Sequence, residues 1–205
     1  MYKQRRPRPP LHLNGKDAVK KRIILAVTGA TGTVYAEALA RHLSRMKDVE
    51  LHLIVSDAAR KVMALETDFP PDALTSGAAS THKVDDIAAP PASGSWRHGG
   101  MIVCPCSMAS LAAIANGLGS NLIHRAADVT LKEGRRLVLA TRETPLNDIH
   151  IENMLAASRS GATVLPLSPG FYHRPASMED LVDHMAGRVL DQLDIPHDLY
   201  KRWGE

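Results

Sequence analysis

Leucine-rich and β-branched runs alternate along this chain with stretches whose apolar residues recur at helical spacing. The clearest run, Arg136-Leu137-Val138-Leu139-Ala140, has no polar alternation and predicts a strand covered on both faces. Strands are expected at 22–28, 49–55, 100–104 and 136–141, and a fifth at 162–165 after the helix-stop residue Gly161. Val34, Ala38, Leu39, Leu43 and Met46 place one apolar stripe on a helix at 34–46. Further helices are expected at 57–65, 107–115, 121–132, 147–160 and 178–193. Strands that alternate with helices argue for an α/β fold, a mostly parallel sheet between two helical layers in a single domain. The stretch 69–95, rich in Pro, Ala, Ser and Gly, reads as an irregular insertion.

Composition changes this picture little. A chain of 205 residues fits one domain with a sizeable core. No apolar run approaches the ~20 residues that cross a bilayer, and the N-terminus lacks the apolar segment of a secretory signal. The two cysteines, Cys104 and Cys106, stand too close for a structural disulfide and have no second pair with which to hold zinc. None of the ten histidines falls at a metal-binding spacing, so no metal site is expected and a cytoplasmic setting is. Lys3, Arg5, Arg6 and Arg8 alternate with Pro7, Pro9 and Pro10, so residues 1–20 read as a basic arm before a domain at 21–205. The arm has neither interleaved aromatics nor an amphipathic face, which argues against a nucleic-acid or membrane role.

Candidate chemistry gathers at the carboxyl ends of the strands, where open α/β sheets bind ligands. The first strand opens into Thr28-Gly29-Ala30-Thr31-Gly32 and a helix, whose first N–H groups offer a site for an anion. This is not a dehydrogenase pattern. Tyr35-Ala36 stands where the third glycine of the dinucleotide fingerprint belongs, and no Tyr-x-x-x-Lys pair occurs. Ser56 ends the second strand and suits a phosphate as well as a helix cap, although Asp57 follows it. Cys104-Pro105-Cys106-Ser107, then Met108-Ala109-Ser110, make another strand-to-helix turn, with Ser107 as its cap. Pro105 is expected to end the strand, and the cysteines read as small buried hydrophobes as readily as nucleophiles. Arg142 and Glu143, directly after the fourth strand, are placed to hold an anion and move a proton.

Arg125 and Lys132, nearly on one helix face, join Arg142 and Arg188 as a possible phosphate-binding set. Tyr172 lies in a loop after the last strand, within reach of a phosphate or as a packing plug. Glu66 sits at the C-terminal end of a helix, where it opposes the helix dipole unless another group recruits it.

Taken together, these motifs resemble the UbiX-type flavin prenyltransferases. The resemblance rests on Thr28–Gly32, Ser56 with Ala58-Ala59, Leu65–Asp68, Pro90–Ser95, Cys104–Ser107, Arg125–Val129 with Lys132-Glu133, Arg142–Pro145, Gly170–His173 and the terminal Arg202-Trp203-Gly204-Glu205. It implies a Rossmann-like flavoprotein sandwich assembled as a dodecamer, with active sites at subunit interfaces. It also implies a reaction in which dimethylallyl monophosphate alkylates reduced FMN at N5 and C6 without a metal. The product, prenylated FMN, would serve a partner UbiD-type decarboxylase.

By the same resemblance, Gly29, Ala30, Thr31, Ser56, Ser107, Met108, Ala109, Ser110 and Arg142 would contact the flavin. Ser93, Arg125, Lys132, Glu143, Tyr172, Arg188 and Trp203 would form the prenyl-phosphate site. Glu66, Lys132, Glu143 and Tyr172 would take part in catalysis, Glu66 through a proton near the reacting flavin edge. The chain departs from the family at Thr31, where serine is usual, and at Gly134 and Arg136. Two other readings stay open: a non-catalytic flavin-binding accessory or carrier subunit of a decarboxylase system, and an FMN-dependent cysteine-type decarboxylase on the same fold.

Overall fold

The computed structural model describes residues 20–70 and 72–204. The expected arm therefore lies outside the described residues except for Lys20. A parallel sheet of six strands runs in the order β3-β2-β1-β4-β5-β6. The strands are β1 (Lys21–Val27), β2 (Val49–Val55), β3 (Ser80–His82), β4 (Gly100–Cys106), β5 (Leu137–Thr141) and β6 (Thr163–Pro166). The helices are α1 (Thr33–Arg45), α2 (Asp57–Glu66), α3 (Met108–Ala115), α4 (Leu122–Lys132), α5 (Asp148–Arg159) and α6 (Met178–Asp191).

Alternation along β1 makes the three layers. Ile23, Leu25 and Val27 face α1, α2 and α6, joining Ala38, Leu39, Leu43, Met63, Ala186 and Val189 in one core. Ile24 and Ala26 face α3, α4 and α5, with Leu111, Ile123, Ala127 and Ala157 in the other. All five of these β1 side chains are fully buried, as expected of a central parallel strand. Most helix starts follow from side chains: Ser56, Ser107, Asn121, Asn147 and Ser177 each accept a backbone N–H of the first turn.

Two expectations fail. The stretch 69–95 holds the edge strand β3, which reads Ser-Thr-His and is only partly covered, so no apolar run announces it. Strand β4 does not stop at Cys104. It runs through Pro105 to Cys106 with a register shift between Val103 and Cys106, because the shift removes the need for a Pro105 N–H in the ladder.

Candidate functional site

The connections of this sheet reverse direction between β1 and β4, the position at which open α/β sheets form a ligand crevice beyond the carboxyl ends of their strands. One threonine ties two turns together there. The Thr28 hydroxyl donates to the Pro105 carbonyl at 2.7 Å and accepts the Ser107 N–H at 2.8 Å, while the residue is 2 % exposed. The Thr28–Gly32 turn and the Ser107–Ser110 turn are thus held as one rim.

Gly29 shows why the first turn needs a glycine. A Cβ there would sit 2.5 Å from Ala58 Cβ, so the turn packs directly on the first residues of α2. Ser56 donates its N–H to Val27 and caps α2 by accepting the Ala59 N–H at 3.1 Å. Ser107 caps α3 by accepting the Ser110 N–H, and its hydroxyl donates to Ser110 Oγ at 3.2 Å. Two serine-capped helix starts therefore lie at this sheet edge. Thr31 is half-buried on the turn, beside Gly32 at φ 97°.

The expected anion site at the start of α1 is already taken. Gly32 has no side chain with which to cap that helix. Glu66, at the end of α2, does so instead, accepting Gly32 N–H at 3.0 Å, Thr33 N–H at 3.1 Å and the Thr33 hydroxyl at 3.0 Å. A carboxylate at a helix N-terminus is favourable, which resolves its unfavourable place at a C-terminus. A ligand phosphate is left with the starts of α2 and α3.

Arg142 follows β5 at the same edge, its N–H meeting the Cys106 carbonyl at 3.4 Å. Burial pushes the half-buried Tyr35 phenol above its ordinary range, Cys104 adds to this, and the Arg142 charge opposes it. A cavity of about 290 Å³ adjoins, lined by Arg142, Glu143, Leu146, Met154 and Ser168. Glu143 is exposed and accepts its neighbour Thr144 N–H at 3.0 Å. Burial drives both thiols upward, Cys106 to about 12, so neither cysteine is a thiolate nucleophile.

The remaining expected residues form two other patches. Arg125 reaches the Ala92 carbonyl at 3.3 Å and Asp128 at 2.7 Å, which lays α4 against the turn carrying Ser93. Arg135 donates to Gly94 and Trp96 carbonyls and fixes the same turn, a role sequence reading missed. Lys132 pairs with Glu133 at 2.8 Å beside Gly94. The third patch is a cavity of about 690 Å³ with Tyr172, Arg188 and Trp203 on its wall.

Convergence of Arg125, Lys132, Arg142 and Arg188 within one chain is therefore not observed. Arg188 rides on α6 and the first two on α4, and those helices pack on opposite faces of the sheet. No group of His, Cys, Asp and Glu able to hold a metal occurs among the described residues, and none of their helices is long and apolar enough to cross a membrane.

The flavoprotein family profile matches residues 12–195. The flavin prenyltransferase UbiX of Pseudomonas aeruginosa is 48% identical over 199 residues, covering 90% of this chain and 95% of that protein. A crystal structure of AnUbiX in complex with FMN and dimethylallyl pyrophosphate superposes with a TM-score of 0.85 at 46% identity, over 91% of this chain and 98% of that one. The dodecameric FMN-dependent UbiX-like decarboxylase of Escherichia coli O157:H7 gives 0.87 at 46% identity, over 90% and 100% of the two chains. The FMN-dependent cysteine decarboxylase TvaF shares the fold alone, at 17% identity and a TM-score of 0.56.

Proposed function

The chain belongs to the UbiX-type flavin prenyltransferases of the flavoprotein family, and from that premise we propose that it moves a dimethylallyl group from dimethylallyl monophosphate onto N5 and C6 of reduced FMN. The observation that carries this reading is the rim at the β1–β4 switch point, where Thr28 ties together two turns and two serine-capped helix starts lie at the same sheet edge. Gly29, which admits no Cβ, seats its turn directly against the start of α2, so the turn and that helix N-terminus face the ligand edge together. The residues present fit FMN. Gly29, Ala30 and Thr31 would line the ring, Ser56 with the start of α2 would take the phosphate, and Ser107 to Ser110 with Arg142 would close the other side. Reduced FMN supplies the nucleophilic nitrogen and carbon that accept the prenyl group.

The chain's own part is to bind, orient and manage charge. As the donor's C–O bond breaks, negative charge grows on the leaving phosphate, and fixed cations stabilise it. Ser93, Arg125 and Lys132 form one group suited to this, and Tyr172 with Arg188 another. Glu143 would give the departing phosphate a proton. Trp203 offers a π face to the positive allylic carbon.

These groups lie apart in one chain, so the working site is built from several copies. A dodecameric relative supports that arrangement. The product, prenylated FMN, would pass to a UbiD-type decarboxylase, and buried free thiols suit a cytoplasmic setting.

A subunit-mixing experiment tests the shared site. Lys132→Ala and Arg188→Ala oligomers are each expected to be inactive, and dissociation and reassembly of the mixture should restore prenylation. Mixtures that stay as inactive as either parent would overturn a site shared between copies.

A further inference from the structure

The last turn of α6 and the chain that follows it are organised around one carboxylate. Asp191 accepts His197 Nε2 at 3.0 Å and Arg202 Nη2 at 2.8 Å on one oxygen. Its other oxygen accepts Arg188 Nη1 at 3.2 Å and the Tyr200 hydroxyl. Arg188 also donates to Tyr200 Oη at 3.3 Å. The Leu199 N–H donates to His197 Nδ1, so the ring's proton sits on Nε2 and points at Asp191.

Packing fixes the same segment. A Cβ on Gly187 would come within 2.7 Å of His197 Cε1 and of the Tyr200 ring, so the terminal segment lies directly on the helix backbone at that glycine. The Arg202 guanidinium covers the Tyr200 ring at 5.6 Å. Burial disfavours the Asp191 charge, yet the hydrogen bonds from Arg202, Tyr200 and His197 outweigh it and hold the carboxyl at about 2. It is a full anion at working pH.

The latch ends at the large cavity. Arg188, Lys201 and Arg202 stand on its wall, and Trp203 follows Arg202 directly. Trp203 is 89 % exposed and meets Tyr172 edge to face at 5.6 Å, so among the described residues that contact and the Arg202 tie are what hold the indole. Arg188 and Lys201 bring cationic groups suited to a phosphate to this wall, and the aromatic pair offers an apolar, π-rich surface beside them.

We propose that Asp191 is a positioning residue for the prenyl donor. Through Tyr200, His197 and Arg202 it holds Arg188 at phosphate-binding reach and sets the Arg202–Trp203 segment as the wall against the isoprenyl chain. The proposal rests on the prenyltransferase reading. It assigns Asp191 and Tyr200 no contact with flavin.

The test uses the full-length, FMN-loaded protein, with dimethylallyl monophosphate varied in an anaerobic prenylation assay and FMN affinity measured separately. Tyr200→Phe removes one hydroxyl bridge between Arg188 and Asp191. Its KM for the donor should rise roughly 5- to 10-fold, with a smaller change in kcat and none in FMN affinity. Asp191→Ala should raise KM further, and Asp191→Asn should recover part of the loss by keeping an acceptor. Gly187→Ala reaches the same end by another route, displacing the terminal segment while favouring the helix itself.

A wild-type KM in Tyr200→Phe and Gly187→Ala, with active wild-type enzyme, would overturn the positioning role and leave the function standing. So would FMN affinity falling in step with donor affinity, which marks general loosening. Wild-type protein that neither binds the donor nor changes the mass of its flavin would overturn the function and this role with it.

Discussion

Replacing Glu66 by alanine separates two roles for one carboxylate. The structure gives Glu66 the work of a helix cap supplied from another element, accepting both N–H groups at the start of α1 and the Thr33 hydroxyl. The family resemblance gives it a proton at the reacting edge of the flavin. Losing an N-cap costs about 0.5–2 kcal/mol, and the carboxylate's interaction with the exposed helix end adds about 0.3–1 kcal/mol. A combined loss of about 1–3 kcal/mol corresponds to a factor of about 5–150 in the population of the ordered turn. That turn carries Gly29, Ala30 and Thr31, so the loss should appear in FMN affinity even where no reaction takes place. Titration of the apoprotein with oxidised FMN, followed by flavin fluorescence, reads this directly. Glu66→Ala should bind several-fold more weakly, with Glu66→Gln between it and wild type because the amide keeps one acceptor. Wild-type FMN affinity in Glu66→Ala together with lost turnover would refute the capping argument and leave only the proton role.

Other substitutions test other links. Gly29→Ala forces Ala58 away from the turn, so FMN binding should be largely lost in a fluorescence titration while the far-UV circular dichroism stays that of the wild type. His98 is 8 % exposed, and burial, with smaller contributions from Arg135 and His52 against a bond to the Gly100 carbonyl, depresses its imidazole to about 4. The unfolded chain takes up this proton near pH 6.5 and the folded one only near 4, so stability should fall as pH drops through that window, by up to about 3 kcal/mol. Denaturant midpoints from pH 7 to 4 should show the fall, and His98→Gln should flatten it. Thr31 keeps the hydroxyl of the usual serine, so Thr31→Ser should change the prenylation rate by less than a few-fold; a large gain would show that the added methyl obstructs the site.

Much of this architecture was legible in the sequence because burial on both sheet faces leaves a strong mark. The runs that became β1, β4 and β5 are too apolar to be anything but central strands, and Ser56 and Ser107 announce the helices they cap. Strand β3 left no such mark, since an edge strand of Ser-Thr-His buries little. Pro105 misled the boundary of β4 because proline forbids a ladder N–H without forbidding the strand to continue past a register shift. Side-chain partners far apart in sequence were the least visible. Glu66 could be recognised as out of place at a C-terminus, but only the fold reveals that the start of α1 lies against it. Arg188 could be picked out as a cation, whereas its partner Tyr200 lies beyond the helix and depends on Gly187 to approach. Spacing on α4 showed that Arg125 and Lys132 share a face, and could not show that α6 lies across the sheet from them.

The mass of the flavin released after anaerobic incubation with reduced FMN and dimethylallyl monophosphate tests prenyl transfer most directly. The wild-type protein should yield FMN heavier by one five-carbon unit, and Glu143→Gln or Lys132→Ala should yield little of it. Tightly bound FMN of unchanged mass, from protein that retains the donor, would contradict prenyl transfer and make the chain a flavin carrier.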